Sequence, residues 1–246
     1  MKRKSLLLFA VLLCLAFWPT LAWAPATQQS YSLAILTGQD EQNIVGSAYA
    51  SRLHKDVIEP FLAMQRAAAA DGISISTVSA FRSYERQKEI FEGKFERFTG
   101  QGMDPEAAID KIIEYSTIPG TSRHHWGTEL DLIDAAVDQP ESSLEPENYH
   151  GKGAYCKLKE WMDLHAESFG FYLVYTDNPL RKGFKYEPWH YSYAPVSIPM
   201  MKAYKEIDLQ QFLSQGQLMG KEYIGQGFIE RYRTEQVLDI NPALVP

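Results

Sequence analysis

Apolar positions follow three rhythms along this chain. At the N-terminus they are unbroken: "SLLLFAVLLCLAFW" follows the basic residues Lys2, Arg3 and Lys4. From Val45 they recur at helical spacing, with Tyr49, Leu53, Val57 and Ile58 predicted on one helix face. In "ISISTVSAF" and "TELDLID" they alternate with small or polar residues, the period of a half-buried strand.

Capping residues sharpen this reading. Pro60 suits a first helical turn, so "PFLAMQRAAAADG" restarts the helix and stops it at Gly72. Ser83 is an N-cap for "YERQKEIFEGKFERF", and Asp104-Pro105 opens another helix running through Tyr115. Residues 135–153 are rich in Pro, Ser and Glu and aperiodic, a long loop of the kind found beside active sites. "AYCKLKEWMDLHAESFG" is an amphipathic helix ended by Gly170, and strands "FYLVY" and "WHYSY" follow. A polar turn around Asp177 to Gly183 separates those strands, and short helical pieces fill the tail from about Pro199. With no regular βαβ alternation, the expected class is α+β: a small, mainly antiparallel sheet flanked by helices.

The unbroken run is too short to span a bilayer comfortably and reads as a secretory leader, residues 1–26, cut after Ala26 at an A-x-A-like site. The alternative is an uncleaved anchor, since Trp18, Leu21 and Trp23 extend the run to about a membrane helix's length. Bulky Leu13 before Cys14 argues against a lipoprotein. The expected location is therefore outside the cytoplasm, in the periplasm or cell envelope. The formal net charge is −7, and losing the leader's basic residues makes the chain more acidic still. Nucleic acid and anionic membrane surfaces are thus poor partners. Only Cys156 remains after cleavage, so the exported fold has no intrachain disulfide; a buried, inert thiol is the expectation for it. With 45% hydrophobic residues the chain supplies a core for one domain, expected as a monomer.

"TSRHHWGTELD" holds the most suggestive chemistry. In the strand, Glu129, Asp131 and Ile133 share one face and Leu130 and Leu132 the other, so leucines in a core leave Asp131 facing a cleft. Gly127 lets the chain turn so that His124 folds back over that face. "EPWH" is the obvious further donor, with His190 in a strand and Glu187 just before it. A regular strand would point these two to opposite faces; Pro188 can mark a strand start or bulge that makes them converge. Two histidines, one carboxylate and a nearby Glu suit a catalytic zinc with an open position and a base. Spacing alone leaves the bland reading equally open: Asp131 balances an Arg, and Trp189 is core. His54, His150 and His165 read as surface or satisfied polar residues, and His125 as a bystander. Arg82 lies between a strand and a helix N-terminus, where an anion can be met, with Gln87 in the first turns; an exposed Arg on a charged helix is the rival reading.

"SAFRSYERQ", "PGTSRHHWGTELD" and "GFKYEPWHYSY", in this order, resemble the signature segments of VanY-type D-alanyl-D-alanine carboxypeptidases. These belong to the wider lysostaphin, D-Ala-D-Ala metallopeptidase and hedgehog fold group. The resemblance spans roughly Val45 to Ala194. It implies one zinc per chain on His124, Asp131 and His190, Glu187 as general base, and Arg82 near the scissile carbonyl. It further implies that Ser122 and Gln87 bind the peptide's terminal portion, and that the substrate is a peptidoglycan stem peptide ending in D-Ala-D-Ala. An L,D-carboxypeptidase, an endopeptidase or a non-catalytic peptide-binding module are the alternatives. Glu129 departs from the family, which commonly has Ala there; it adds charge near the metal or pairs with Arg123. The expected organisation is a leader (1–26), an irregular segment (27–43), a zinc peptidase domain (44–197) and an extension of unknown role (198–246).

Overall fold

The computed structural model describes residues 31–246; the leader lies outside the described residues. In chain order the elements are α1 (Leu33–Leu36), β1 (Ile44–Val45), β2 (Leu53–His54), α2 (Ile58–Ala70), β3 (Ile75–Ser79), α3 (Tyr84–Gly100) and α4 (Pro105–Ile112). There follow β4 (Glu129–Asp134), α5 (Cys156–His165), β5 (Phe171–Leu173), β6 (His190–Tyr193), α6 (Ala194–Tyr204), α7 (Leu209–Gln215) and α8 (Gln226–Tyr232). The architecture is α+β, as the patterning implies. No described helix is long and apolar enough to cross a membrane.

One predicted element is corrected. The stretch from Val45 to Val57 is no helix: β1 and β2 pair as a short antiparallel ladder, with single 3₁₀ turns at Tyr49–Ser51 and Lys55–Val57. Gly46 turns the chain at φ +107°, and a Cβ there would lie 2.6 Å from the Ser51 carbonyl oxygen. A backbone so turned cannot continue a right-handed helix. Within residues 27–43, a one-turn helix buries Ile35 and Leu36 and is capped by Ser32.

The helices keep their predicted caps. Ser83 Oγ accepts from the Arg86 amide at the start of α3, and Asp104 caps α4 with Pro105 at its first position. The α4 helix stops at Ile112, short of Tyr115. Gly170, at φ +84°, ends the 3₁₀ turn after α5.

The main sheet runs β3-β4-β6-β5, antiparallel throughout. Its pairing fixes the site. Glu129 lies opposite Ser192, Leu130 opposite Tyr191 and Asp131 opposite His190. Period two therefore sends Leu130, Leu132 and Tyr191 to one face, where they join Phe61 and Met64 of α2 and Leu158 and Trp161 of α5 in one apolar cluster. Glu129, Asp131, His190 and Ser192 occupy the other face. A second cluster lies beyond that face, built from α3, α4, Trp126, Tyr175 and the C-terminal helices. The polar row is thus enclosed between two cores.

Residues after Ala194 are structural partners of this frame. Asn241 donates from its amide to Val174 and from its side chain to Leu173, capping the end of edge strand β5. Asp239 accepts from the Lys182 and Gly183 amides, and Arg181 donates to the Asp239 and Phe184 carbonyls. The loop that carries Glu187 is held from behind by the tail.

Candidate active site

The loop before β4 is shaped by three features. A 3₁₀ turn covers Arg123–Trp126, and Gly127 closes it in the left-handed region at φ +66°. A Cβ at Gly127 would lie 2.7 Å from the His54 amide nitrogen, so no larger residue fits there without a shift. This turn folds His124 over the face that carries Asp131, as the sequence suggests. His124 Nε2 lies 3.4 Å from Asp131 Oδ2. His190 Nδ1 lies 3.7 Å from Asp131 Oδ1, and one ligand atom from each of the three falls within 4.8 Å of the others.

Glu187 joins them through a turn. The His190 amide donates to the Glu187 carbonyl across Pro188 and Trp189, and β6 begins only at His190. This brings Glu187 Oε2 to 2.8 Å from His190 Nδ1. The Pro188 irregularity thus produces the convergence that a regular strand would forbid.

The distal ring nitrogens are occupied. His124 Nδ1 donates to the Ala80 carbonyl at 2.6 Å, leaving Nε2 free to face Asp131. His190 Nε2 lies 3.2 Å from Glu129 Oε2. Asp131 Oδ1 is buried and has no hydrogen-bond partner among the described residues. A buried, unsatisfied carboxylate oxygen in a group with two imidazoles calls for a partner, and a cation is one that would satisfy it.

Charge in the pocket is sharply divided. Burial, followed by Arg82 and His190, holds His124 well below the usual histidine range, so it is a neutral imidazole. Burial also pushes Asp131 up, to about 6. His190 goes the other way: burial lowers it, but hydrogen bonds to Glu129 and Glu187 and the charge of Asp131 together raise it to about 10. Burial opposes ionisation of Glu129, yet Arg123 and His190 hold it below the ordinary carboxylate range.

A cleft of about 410 Å³ opens over these residues. Arg82, Ser122, His124, Asp131, Glu187 and His190 all line it. Gln87 does not; it is fully buried and grips Arg82, its Oε1 accepting from Nη1 at 2.7 Å. Its amide nitrogen donates to the Thr117 carbonyl at 2.7 Å, so Gln87 orients Arg82 from below. Ser79 Oγ accepts from Arg82 Nη2.

Other residues emerge only in three dimensions. Lys94, one α3 turn beyond Ile90, reaches the same cleft, and burial and the nearby Arg82 lower its pKa. It sits on the Gln87–Ile90 stripe of α3, a pattern visible in the sequence without a clue to what it faced. Tyr175 packs edge-on to His190, ring centroids 5.0 Å apart, and Trp189 walls the opening. His125 stands outside the three grouped ligands, in keeping with its reading as a bystander to the metal, but it has a structural part. Buried, and pushed down to about 3 by that burial, it donates from Nδ1 to the Arg82 carbonyl and accepts the Gly120 amide at Nε2. It ties the metal-facing loop to the Arg82 strand end. His54 is fully buried, and its Nε2 has no partner among the described residues.

Residues 50–196 match the family model described as VanY, D-alanyl-D-alanine carboxypeptidase. The chain belongs to this family. Over 197 residues it is 25% identical to the D-alanyl-D-alanine carboxypeptidase of Enterococcus faecalis, an overlap of 76% of this chain and 67% of that one. Two solved structures share the VanY fold. One is VanYB in complex with D-alanine-D-alanine, 24% identical, with a TM-score of 0.50 over 72% of this chain and 93% of the other. The second is the LD-carboxypeptidase LdcB, 21% identical, with a TM-score of 0.51 over 74% and 82% of the two chains. The resemblance read from the three signature segments is confirmed, and this VanY-family chain is a peptidase hydrolase.

Proposed function

We propose that this chain is an exported, zinc-dependent D-alanyl-D-alanine carboxypeptidase that removes the terminal D-alanine of peptidoglycan stem peptides. The observation that carries the reading is the meeting of His124 Nε2, Asp131 and His190 Nδ1 beside Glu187 and Arg82 in one cleft. Tetrahedral bonds of about 2.0–2.1 Å place neighbouring ligand atoms roughly 3.4 Å apart. His124 Nε2 stands at that spacing from Asp131 Oδ2, and the full set of three ligand atoms falls within 4.8 Å. Two imidazoles and one carboxylate leave a fourth position open, the pattern of a catalytic rather than a structural zinc.

A zinc ion held there supplies Lewis acidity, lowering the pKa of water from about 15.7 to about 7 and polarising a carbonyl. The protein's own residues do the rest. Glu187, at the cleft wall, takes the proton from the attacking water and returns it to the leaving amine. Arg82, fixed by Gln87 and Ser79, presents its guanidinium to the oxyanion that develops at the scissile carbonyl. Ser122 lines the same wall. Arg82 and Lys94 make that end of the cleft cationic, which suits a substrate ending in a free carboxylate. Tyr175 and Trp189 exclude water around His190. The leader read in residues 1–26 supports export to the periplasm or cell envelope, where such peptides are.

The test uses defined pentapeptide and tetrapeptide muropeptides, incubated with the protein with and without chelator and read by product mass. Loss of one D-alanine from the pentapeptide, abolished by chelator and restored by zinc, is the expected result. Cleavage of the tetrapeptide alone would move the assignment to an L,D-carboxypeptidase. No cleavage of either by zinc-loaded protein would overturn the enzymatic reading.

A further inference from the structure

The sheet face that bears Asp131 and His190 bears a second, fully buried ionic cluster that the reaction does not use. Glu129 is inaccessible to solvent and Arg123 nearly so, and Arg123 Nη2 meets Glu129 Oε1 at 3.0 Å. The same carboxylate oxygen accepts from Ser192 Oγ at 2.8 Å and from Thr128 Oγ1 at 3.1 Å. Ser192 also accepts from Arg123 Nη2 and lies 2.8 Å from Ser197 Oγ. Oε2 of Glu129 has one neighbour in hydrogen-bond range, His190 Nε2 at 3.2 Å.

Strand register explains the placement. Glu129 stands opposite Ser192 and Asp131 opposite His190, so Glu129 and His190 are diagonal neighbours on one face. A side chain of glutamate length bridges that diagonal, and Arg123, one residue before His124, pins its other oxygen. Stability gives no reason for such an arrangement, because replacing a buried ion pair with well-packed apolar residues is often neutral or stabilising. Orientation of His190 does. Both ring nitrogens of His190 face carboxylates, Nδ1 meeting Glu187 Oε2 at 2.8 Å and Nε2 meeting Glu129 Oε2 at 3.2 Å. A cation at Nδ1 would replace the proton there, and the acceptor at Nε2 would keep the remaining proton on Nε2.

We propose that Glu129, held by Arg123, is a positioning residue for the metal site: it fixes the tautomer and ring plane of His190 so that Nδ1 is the ligand atom. This rests on the zinc reading above. Ser192, Thr128 and Ser197 complete the support, and the cluster links both ligand-bearing segments, the 122–127 loop and β6, to one carboxylate.

The test measures zinc affinity by competition with a chromophoric chelator, with urea unfolding run in parallel on each metal-free protein. The double variant Arg123→Met with Glu129→Ala removes the pair without stranding a charge. Zinc binding to the folded double variant should weaken about 10- to 100-fold, the usual loss when such a supporting partner is removed. Glu129→Gln keeps an acceptor for Nε2–H and should recover part of that loss. In zinc-loaded, ¹⁵N-labelled wild type, His190 should show a slowly exchanging Hε2 proton that is lost in the double variant. Should the double variant fail to fold, the Glu129→Gln affinity and the wild-type Hε2 resonance still decide. Wild-type zinc affinity in a folded double variant, or wild-type His190 without a protected Hε2, would overturn the positioning role alone. Wild-type protein that binds no zinc would instead overturn the zinc reading, and this role with it.

Discussion

The hydroxyls of Tyr232 and Thr121, which stand 111 positions apart in the chain, lie 2.7 Å from each other. Tyr232 also accepts the Ile118 amide, and Tyr204 donates to the Gly120 carbonyl at 2.9 Å. The residues after Ala194 therefore grip the loop that delivers Ser122 and His124. They are a brace for the active site rather than an appendage.

Tyr232→Phe tests the brace. The ring and its packing remain, while the buried Ile118 amide loses the one acceptor it has among the described residues. An unsatisfied buried group costs about 1–3 kcal/mol. The variant should lose stability of that order in urea unfolding and lose turnover at unchanged zinc content. Wild-type values for both would remove the tail from any part in the site.

Gln87 offers a second test, because it touches Arg82 and does not line the cleft. Gln87→Ala frees the guanidinium from its buried anchor. Hydrogen bonds to charged groups contribute about 1.5–3 kcal/mol, so kcat/KM should fall roughly ten- to a hundredfold. Zinc affinity should not move. A fall confined to variants of Arg82 itself would show that Gln87 is only packing.

How much of this was legible before the fold was known depended on how local each signal was. The β3 and β4 alternations, the Ser83 and Asp104 caps and the left-handed turn at Gly127 are local physics, and each appears where the sequence placed it. Strand period and one turn made the approach of His124 to Asp131 legible, whereas spacing left the metal reading open and the full trio with His190 came from the family resemblance. The stretch from Val45 to Val57 misled because alternating short strands and 3₁₀ turns space apolar residues much as a helix does. Leu53 and Val57 are buried either way, and only the turn at Gly46 tells the two apart. The roles of His125 and the tail depend on contacts such as His125 to Arg82 and Tyr232 to Ile118, 43 and 114 positions apart, and that of Lys94 on the cleft assembled around it; no periodicity encodes those. Glu129 was half legible: its face followed from Asp131, whereas its acceptance of His190 required the β4–β6 register.

Lys94 separates a carboxypeptidase from an endopeptidase. Its ammonium shares the cleft with Arg82 and has no ion pair among the described residues. If the cationic end receives a terminal carboxylate, Lys94→Met should raise KM for a free peptide about tenfold or more. The C-terminally amidated peptide should be a poor substrate for both proteins, with little difference between them. Equal losses on both peptides would assign Lys94 to the fold.

His54 predicts the acid side of the stability curve. Burial lowers its pKa below the ordinary histidine value of about 6.5, against a smaller upward pull from Asp56. As pH falls through 6.5, the unfolded chain takes up a proton that folded His54 refuses, so stability drops with pH. His54→Asn keeps an acceptor for the Asp56 amide, which His54 Nδ1 now receives at 3.3 Å, and cannot titrate. Its urea midpoint should therefore decline less steeply than wild type between pH 7 and pH 5, whatever its absolute value. An unchanged slope would locate the acid sensitivity in the other buried histidines.

Glu187 is the most direct test of the chemistry. Its carboxylate lies 2.8 Å from His190 Nδ1 and lines the cleft, but it is not one of the three grouped ligands. Glu187→Gln preserves shape and hydrogen-bonding reach while removing the capacity to accept a proton. General acid–base catalysis contributes about 10²- to 10⁴-fold, so kcat should fall by at least 10²-fold. Zinc should remain bound, because His124, Asp131 and His190 are untouched. Asp131→Asn should do the reverse and lose the metal first. Measured side by side for D-alanine release and zinc content, the two variants separate proton transfer from metal holding. Turnover retained by Glu187→Gln would move the base elsewhere. Zinc lost from it would make Glu187 a fourth ligand, leaving no open position for water.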